Sequence, residues 1–236
     1  MTKQEEFREK YKTIKSKWEE STKIYQKMVL ERVNKGTKLL DVGCGHSDLL
    51  KKAYEKAEFA FGIDPSVDVR SRNPFLKDIR NEYVEKMSFE DNFFDIVVCA
   101  WVLEHIENPE RAFSEICRVL KPGGTVIFLT PNSLNYNTWI IRLIPERFHN
   151  FLTQKFYGRE VNDTFSKKYR FNSVKKIRKV MKECGFEEEI LLTNGDPSYI
   201  CFNDVTFRIS CLLEKILDLP FLRKFRVHLI GKYKKR

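Results

Sequence analysis

The chain has 236 residues, 42% of them hydrophobic, and a formal net charge of +10; this suits one large α/β core, or a core with a small attachment. The charge is uneven: from position 151 onward there are 19 Lys/Arg against 10 Asp/Glu, a balance that fits an acidic substrate, an anionic membrane, nucleic acid or simply a solvated basic face. Three classes are excluded: the densely charged start is no secretory signal, no apolar run reaches the roughly 18 residues of a spanning segment, and six cysteines without a C-x-x-C pair read as reduced thiols of a cytoplasmic protein rather than a disulfide framework or zinc site.

Residues 2–34 read as one or two helices, with Phe7, Tyr11, Ile14 and Trp18, then Ile24, Met28 and Val29, at helical spacing. They pack on the core or close over a ligand, and Tyr11 and Trp18 are the residues that distinguish the two. Lys35-Gly36-Thr37 ends this segment. The organising stretch follows at 39–50. Leu39, Leu40 and Val42 suit a strand covered on both faces. Gly43 and Gly45 flank Cys44, so the backbone turns tightly and leaves no Cβ in the way of a ligand. Ser47 or Asp48 then caps a helix through Leu49, Leu50, Ala53 and Tyr54. A dinucleotide fingerprint places a third glycine where Asp48 stands, and a carboxylate there repels pyrophosphate. Phe59–Ile63 forms a second strand that ends at Asp64-Pro65. An acid about 20 residues beyond the turn is where a ribose diol is held, because a carboxylate accepts two hydrogen bonds from vicinal hydroxyls. Turn, helix and acid together describe a nucleoside site without pyrophosphate.

The polar stretch 66–83 reads as a short irregular helical piece, with Tyr83-Val84 as a brief third strand. Phe94–Ala100 is a fourth strand with Trp101 at its end. Pro109 opens a helix with Ala112, Phe113, Ile116, Val119 and Leu120 inward, stopped by Lys121-Pro122-Gly123-Gly124. Residues 125–129 form a fifth strand. The connection 132–170 is longer than a minimal one and holds Trp139, Phe148, Phe156 and Tyr157 beside Arg142, Arg147, Lys155 and Arg159; long structured insertions are often functional. Asn172-Ser173 caps a helix closed by Gly185, 188–193 is a sixth strand, 204–225 is amphipathic, and 225–233 returns as an antiparallel last strand before a basic tail. Alternating strands and helices imply a parallel sheet with helical crossovers. The resulting fold is α/β, Rossmann-like and doubly wound: a mostly parallel sheet of about seven strands with an antiparallel last strand, plus helical lid insertions. Ligands in such sheets bind at the carboxyl ends of the strands, where Asp41 to Gly45, Asp64, Trp101 and Thr130 converge.

Five motifs in order (L-L-D-V-G-C-G at 39–45, G-I-D-P at 62–65, S-F-E-D-N-F-F-D-I-V-V at 88–98, L-E-H at 103–105 and R-V-L-K-P-G-G at 118–124) resemble the class I S-adenosylmethionine-dependent methyltransferases of the broad type 11 group. The resemblance is close over about residues 37–131. It implies an N-terminal helical segment at 1–36 and a methyltransferase domain at 37–236, with helical insertions at about 132–170 and 196–224. It also implies S-adenosylmethionine as cofactor. Gly43, Cys44 and Gly45 then pass its methionine part with Asp41 nearby, Asp64 and Pro65 meet the ribose, Val84 offers its backbone to adenine, and Ala100 and Trp101 line the methionine side. Relatives often place an Asp just before the adenine-contacting residue; here Tyr83 stands there, so that adenine recognition is either weaker or uses Glu82 or Glu85 instead.

Methyl transfer needs the acceptor in line with the donor, so positioning supplies much of the rate, and a base is required for a hydroxyl of high pKa. The base candidates are His105 with Glu104, and His149. Ubiquinone-pathway O-methyltransferases show a similar segment, E-x-x-E-H, used for a metal; here Trp101 replaces the first acid, and no metal ligand set is assigned. No N-P-P-Y-like segment follows the fourth strand, which disfavours a nucleic-acid base as acceptor. The leading reading is O-methylation of a small molecule or of a glycan or lipid-linked saccharide, the saccharide following from the resemblance alone. The insertion at 132–170 reads as a lid, and segments 132–160 and 204–236 as a peripheral contact with an anionic membrane; the two can coexist. Two alternatives stand beside it: a membrane- or nucleic-acid-associated binding module with a vestigial cofactor site, and a nicotinamide-dependent oxidoreductase, which the missing third glycine disfavours.

Overall fold

The computed structural model describes residues 2–66, 73–136 and 168–236. Among them, seven strands form one sheet in the order β3-β2-β1-β4-β5-β7-β6. β1 (Lys38–Val42), β2 (Phe59–Ile63), β3 (Asp78–Arg80), β4 (Phe94–Ala100) and β5 (Leu120–Pro131) run parallel. β7 (His228–Lys235) lies between β5 and β6 (Phe186–Asn194), antiparallel to both.

Successive residues of the central strands point to opposite faces, and both faces are covered. On one, Leu40, Val42, Val97, Phe94 and Phe128 pack with Phe113, Ile116 and Val119 of α4 (Pro109–Val119) and Ile177, Val180 and Met181 of α5 (Val174–Glu183). On the other, Leu39, Ile96, Val98, Ile127 and Leu129 pack with Tyr25 and Val29 of α2 (Ser21–Arg32) and Ala53 and Tyr54 of α3 (Lys51–Lys56). Strands buried on both sides read as continuous apolar runs, which is why β1 and β4 stand out in the sequence.

The N-terminal helix α1 (Lys3–Ile14) does not rest on the sheet; it packs on the insertion between β6 and β7, which holds a 3₁₀ turn (Pro197–Ile200) and helix α6 (Asp204–Ile216). Phe7 stacks on Phe207 at 5.3 Å, and Tyr11 and Trp18 complete the cluster. Ion pairs Arg8–Asp196 (2.8 Å), Lys10–Asp204 (3.2 Å) and Lys15–Asp218 (2.6 Å) tie the two together. Thr2 and Glu5 close the start of α1 as a reciprocal capping box.

Several local expectations need correction. The third strand is Asp78–Arg80, not Tyr83-Val84. Tyr83 is exposed and opens a turn closed by the Lys86 N–H on the Tyr83 carbonyl. Neither Ser47 nor Asp48 caps α3. That helix starts at Lys51 with Leu50 at its N-cap and no side-chain bond, while Ser47 Oγ accepts the Leu49 N–H inside the preceding turn. Ser173 stands at the N-cap of α5 but makes no capping bond; Asn172 instead donates to the Thr130 hydroxyl and the Pro131 carbonyl. A 3₁₀ turn occupies Arg223–Phe225, so the last strand begins at His228. The six cysteines are free thiols.

Candidate cofactor site

The carboxyl ends of β1, β2 and β4 surround a cavity of about 490 Å³. Its floor is the glycine turn. Gly43 has φ +69° and Gly45 φ +46°, backbone that favours glycine. The Gly43 and Cys44 N–H groups both donate to the Ile63 carbonyl, fastening the turn to the end of β2. A Cβ on Gly43 would stand 2.2 Å from Val102 Cγ2, whereas one on Gly45 would meet nothing within 4 Å. The first glycine therefore admits Val102; the second faces open space.

Asp64 closes the side. Its Oδ2 accepts the Gly45 N–H at 3.1 Å and its Oδ1 the Ser66 N–H at 2.9 Å. Each carboxylate oxygen keeps a lone pair, and Asp64 lines the cavity. Pro65, Glu82, Tyr83, Val84 and Glu85 continue that wall; Ala100, Trp101, Val102, His105, Ile106 and Lys168 form the other. Trp101 is a non-glycine residue at φ +61°. It is held there by its N–H on the Leu129 carbonyl and by its ring edge against His228 at 5.0 Å. His228 is itself fully enclosed, within 2.7 Å of the Tyr199 hydroxyl and 2.9 Å of Ser21 Oγ, and burial pulls its pKa down to about 4.

Of the residues expected from sequence, Gly43, Asp64, Pro65, Val84, Ala100, Trp101 and His105 line the cavity; Asp41, Cys44 and Glu104 are buried outside that lining, and Gly45 is half-buried beside it. Asp41 sits buried beneath the turn and accepts a hydrogen bond from the Tyr54 hydroxyl. Burial drives its carboxyl up to about 7; the Tyr54 bond opposes this and the charge of Asp64 adds to it. The Tyr25 hydroxyl is buried nearby, and burial followed by the Asp41 charge holds it well above the phenol range. Cys44 points into the core, with Sγ 2.6 Å from where a Gly62 Cβ would stand, and burial pushes its thiol far above the usual range. Glu104 is buried behind the opposite wall: Thr130 Oγ1 donates to its Oε2 at 3.1 Å, and its Oε1 lies 4.0 Å from His105 Nε2. His149 and most of the expected lid, 137–167, fall outside the described residues. Among the described residues no three His, Cys, Asp or Glu side chains gather as a metal site. Val102, Ile106 and Lys168 were not singled out by sequence. Val102 sits one residue beyond Trp101, but its contact with Gly43 crosses from β4 to β1 and leaves no mark in local pattern.

A tight glycine floor, a carboxylate with free lone pairs at the end of β2 and a deep pocket over the sheet fit a nucleoside whose charge is not phosphate. With the sheet order, they have the architecture of the class I S-adenosylmethionine-dependent methyltransferase fold. Residues 40–128 match the family described as "Methyltransferase domain". Among curated relatives it resembles the ubiquinone biosynthesis O-methyltransferase of Coxiella burnetii (strain RSA 493 / Nine Mile phase I), 28% identical over 117 residues, 47% of this chain and 50% of the relative. The enzyme of the same description from Pseudomonas fluorescens (strain SBW25) is 31% identical over 138 residues, 51% of this chain and 60% of the relative. The chain thus spans about half the length of the first of these and somewhat more of the second. Among solved structures it is similar in fold to an S-adenosylmethionine-dependent methyltransferase from Mesorhizobium loti (TM-score 0.62, 18% identity, 92% of this chain and 98% of that one). It is also similar to geranyl diphosphate C-methyltransferase from Streptomyces coelicolor A3(2) (TM-score 0.56, 12% identity, 90% and 77%).

Proposed function

We propose that this protein methylates an oxygen of a small molecule or of a glycan or lipid-linked saccharide, with S-adenosylmethionine as donor. The observation that carries the oxygen reading is His105, which lines the cavity beside Trp101 with a buried acid, Glu104, 4.0 Å behind its Nε2. A hydroxyl of high pKa requires a base as its oxygen attacks, and an imidazole steadied by a carboxylate is suited to take that proton. The curated relatives described as O-methyltransferases support the same reading.

When bound, the cofactor supplies an electrophilic methyl group on a cationic sulfur. The chain's own residues do the rest. The Asp64 oxygens hold the ribose hydroxyls, with Pro65 fixing the end of β2. The Val84 backbone, between Glu82 and Glu85, meets the adenine. The backbone of Gly43, Cys44 and Gly45 allows the methionine part close approach, with the buried Asp41 carboxyl beneath it. Ala100 and Trp101 set the far wall and direct the acceptor toward His105, whose imidazole receives the proton.

The test has two arms. Calorimetry with S-adenosylhomocysteine is expected to show one site per chain. Radiolabelled methyl transfer is then run against panels of saccharides, lipid-linked saccharides and phenols, with amines as controls, and the product is analysed by mass spectrometry. Label on nitrogen or carbon overturns the oxygen reading, and absence of cofactor binding overturns the enzyme itself in favour of a binding module.

A further inference from the structure

Helix α6 buries one face and leaves the other uncovered. Phe207, Ser210 and Glu214 point inward, while Val205, Ile209, Leu212 and Ile216 are between 44% and 67% exposed. At 100° per residue those four lie within an arc of about 60°, so they form one stripe rather than scattered contacts. Leu219 and Phe221, the latter 68% exposed, extend it into the following turn.

The charges around the stripe are one-sided. Asp204 is taken by Lys10, Asp218 by Lys15 and Arg226, and Glu214 is buried on the opposite face. Arg208 and Lys215 fall on one flank of the stripe, and Arg223 and Lys224 follow Phe221. Four cations therefore border the apolar surface, and every acid of the element is already occupied or buried. No helix among the described residues is long and apolar enough to cross a membrane.

We infer that this surface docks on an anionic lipid bilayer, with the stripe at the headgroup–acyl boundary and the cations on the headgroups. Charge complementarity selects this occupant. A second copy brings four cations against four. Residues 137–167, with five Lys/Arg and three Asp/Glu, are themselves net +2. Nucleic acid satisfies the cations and leaves the apolar stripe in water. An anionic bilayer matches both features. The inference stands apart from the methyl-transfer reading, since it uses no residue of the cavity.

Sedimentation of the full chain with vesicles of mixed phosphatidylglycerol and phosphatidylcholine, and with phosphatidylcholine alone, tests it. The chain is expected to bind the anionic vesicles, more weakly as salt rises. R208Q/K215Q is expected to bind roughly thirtyfold more weakly, and L212S/F221S at least tenfold more weakly, both with unchanged melting temperature and unchanged S-adenosylhomocysteine affinity. Equal binding to neutral vesicles, or variants that bind like the parent, overturns the proposal. A fall in the melting temperature of L212S/F221S without vesicle binding by the parent assigns the stripe to this chain's own residues 137–167. Loss of a dimer in that variant, by sedimentation velocity without lipid, assigns it to a second copy. Either result overturns the lipid surface.

Discussion

The two glycines of the turn are expected to respond differently to one added methyl group. At Gly43 the new Cβ stands 2.2 Å from Val102 Cγ2 at a φ of +69°, so Gly43→Ala carries both a conformational and a steric cost. The left-handed backbone costs an alanine about 1–2 kcal/mol, and overpacking about 1–3 kcal/mol, together roughly 2–5 kcal/mol. At Gly45, φ is +46° and nothing lies within 4 Å, which leaves only the conformational part, about 1–2 kcal/mol. Because Val102 lines the cavity, the push at Gly43 also enters the cofactor site, and S-adenosylhomocysteine affinity is expected to fall tenfold or more. The assay is denaturant unfolding of G43A, G45A, V102A and the pairs G43A/V102A and G45A/V102A, with calorimetry on the folded variants. Removing the Val102 methyls is expected to restore the steric part at Gly43, a coupling of at least about 1 kcal/mol, and none at Gly45. Equal losses at the two glycines, or no coupling to Val102, would refute the reasoning.

Three further outcomes are expected. Asp64→Ala should lose most binding of S-adenosylhomocysteine, since two hydrogen bonds to a charged acceptor go with it, roughly 3–6 kcal/mol; an unchanged isotherm removes Asp64 from the ribose. His105→Gln should lower kcat by about a hundredfold or more, with cofactor affinity within a few-fold of the parent. Two buried groups should tilt stability in opposite directions. Asp41, raised to about 7, keeps its proton in the folded chain while the unfolded chain loses it above about pH 4. Stability thus falls with rising pH between those values, and Asp41→Asn should remove that slope. His228, lowered to about 4, stays neutral while the unfolded chain gains a proton below about pH 6.5. Its contribution is lost as pH falls from there toward 4, and His228→Gln should remove that loss. Melting curves of the two variants across pH 4–8 check both.

What was legible in the sequence follows the range of the interactions. β1, β2 and β4 were readable because strands buried on both faces are continuous apolar runs, and Gly43, Asp64 and Trp101 were readable because they stand at the ends of those runs. β3 was not: of Asp78, Ile79 and Arg80 only Ile79 is apolar, and the more strand-like Tyr83 and Val84 lie in a turn. The start of α3 was misplaced because Ser47 is a plausible cap whose hydroxyl is used two residues on by Leu49 instead. Lys168 reaches the cavity wall through its N–H on the Glu104 carbonyl, a contact across more than sixty positions that no local spacing announces. The packing of α1 on the insertion was equally hidden, since Phe7 and Phe207 stand at opposite ends of the chain.

The place of β7 has a consequence for how the chain is assembled. β6 precedes it in the sequence, yet among the described residues has no strand neighbour except β7. β5 in turn waits for a partner about 100 residues downstream, a separation that slows pairing. During synthesis the right-hand third of the sheet therefore stays unzipped, with one unpaired edge on β5 and two on β6, until 228–235 slide between them. Such edges are templates for pairing with other chains, so the interval before β7 arrives is when this protein is most exposed to misassembly.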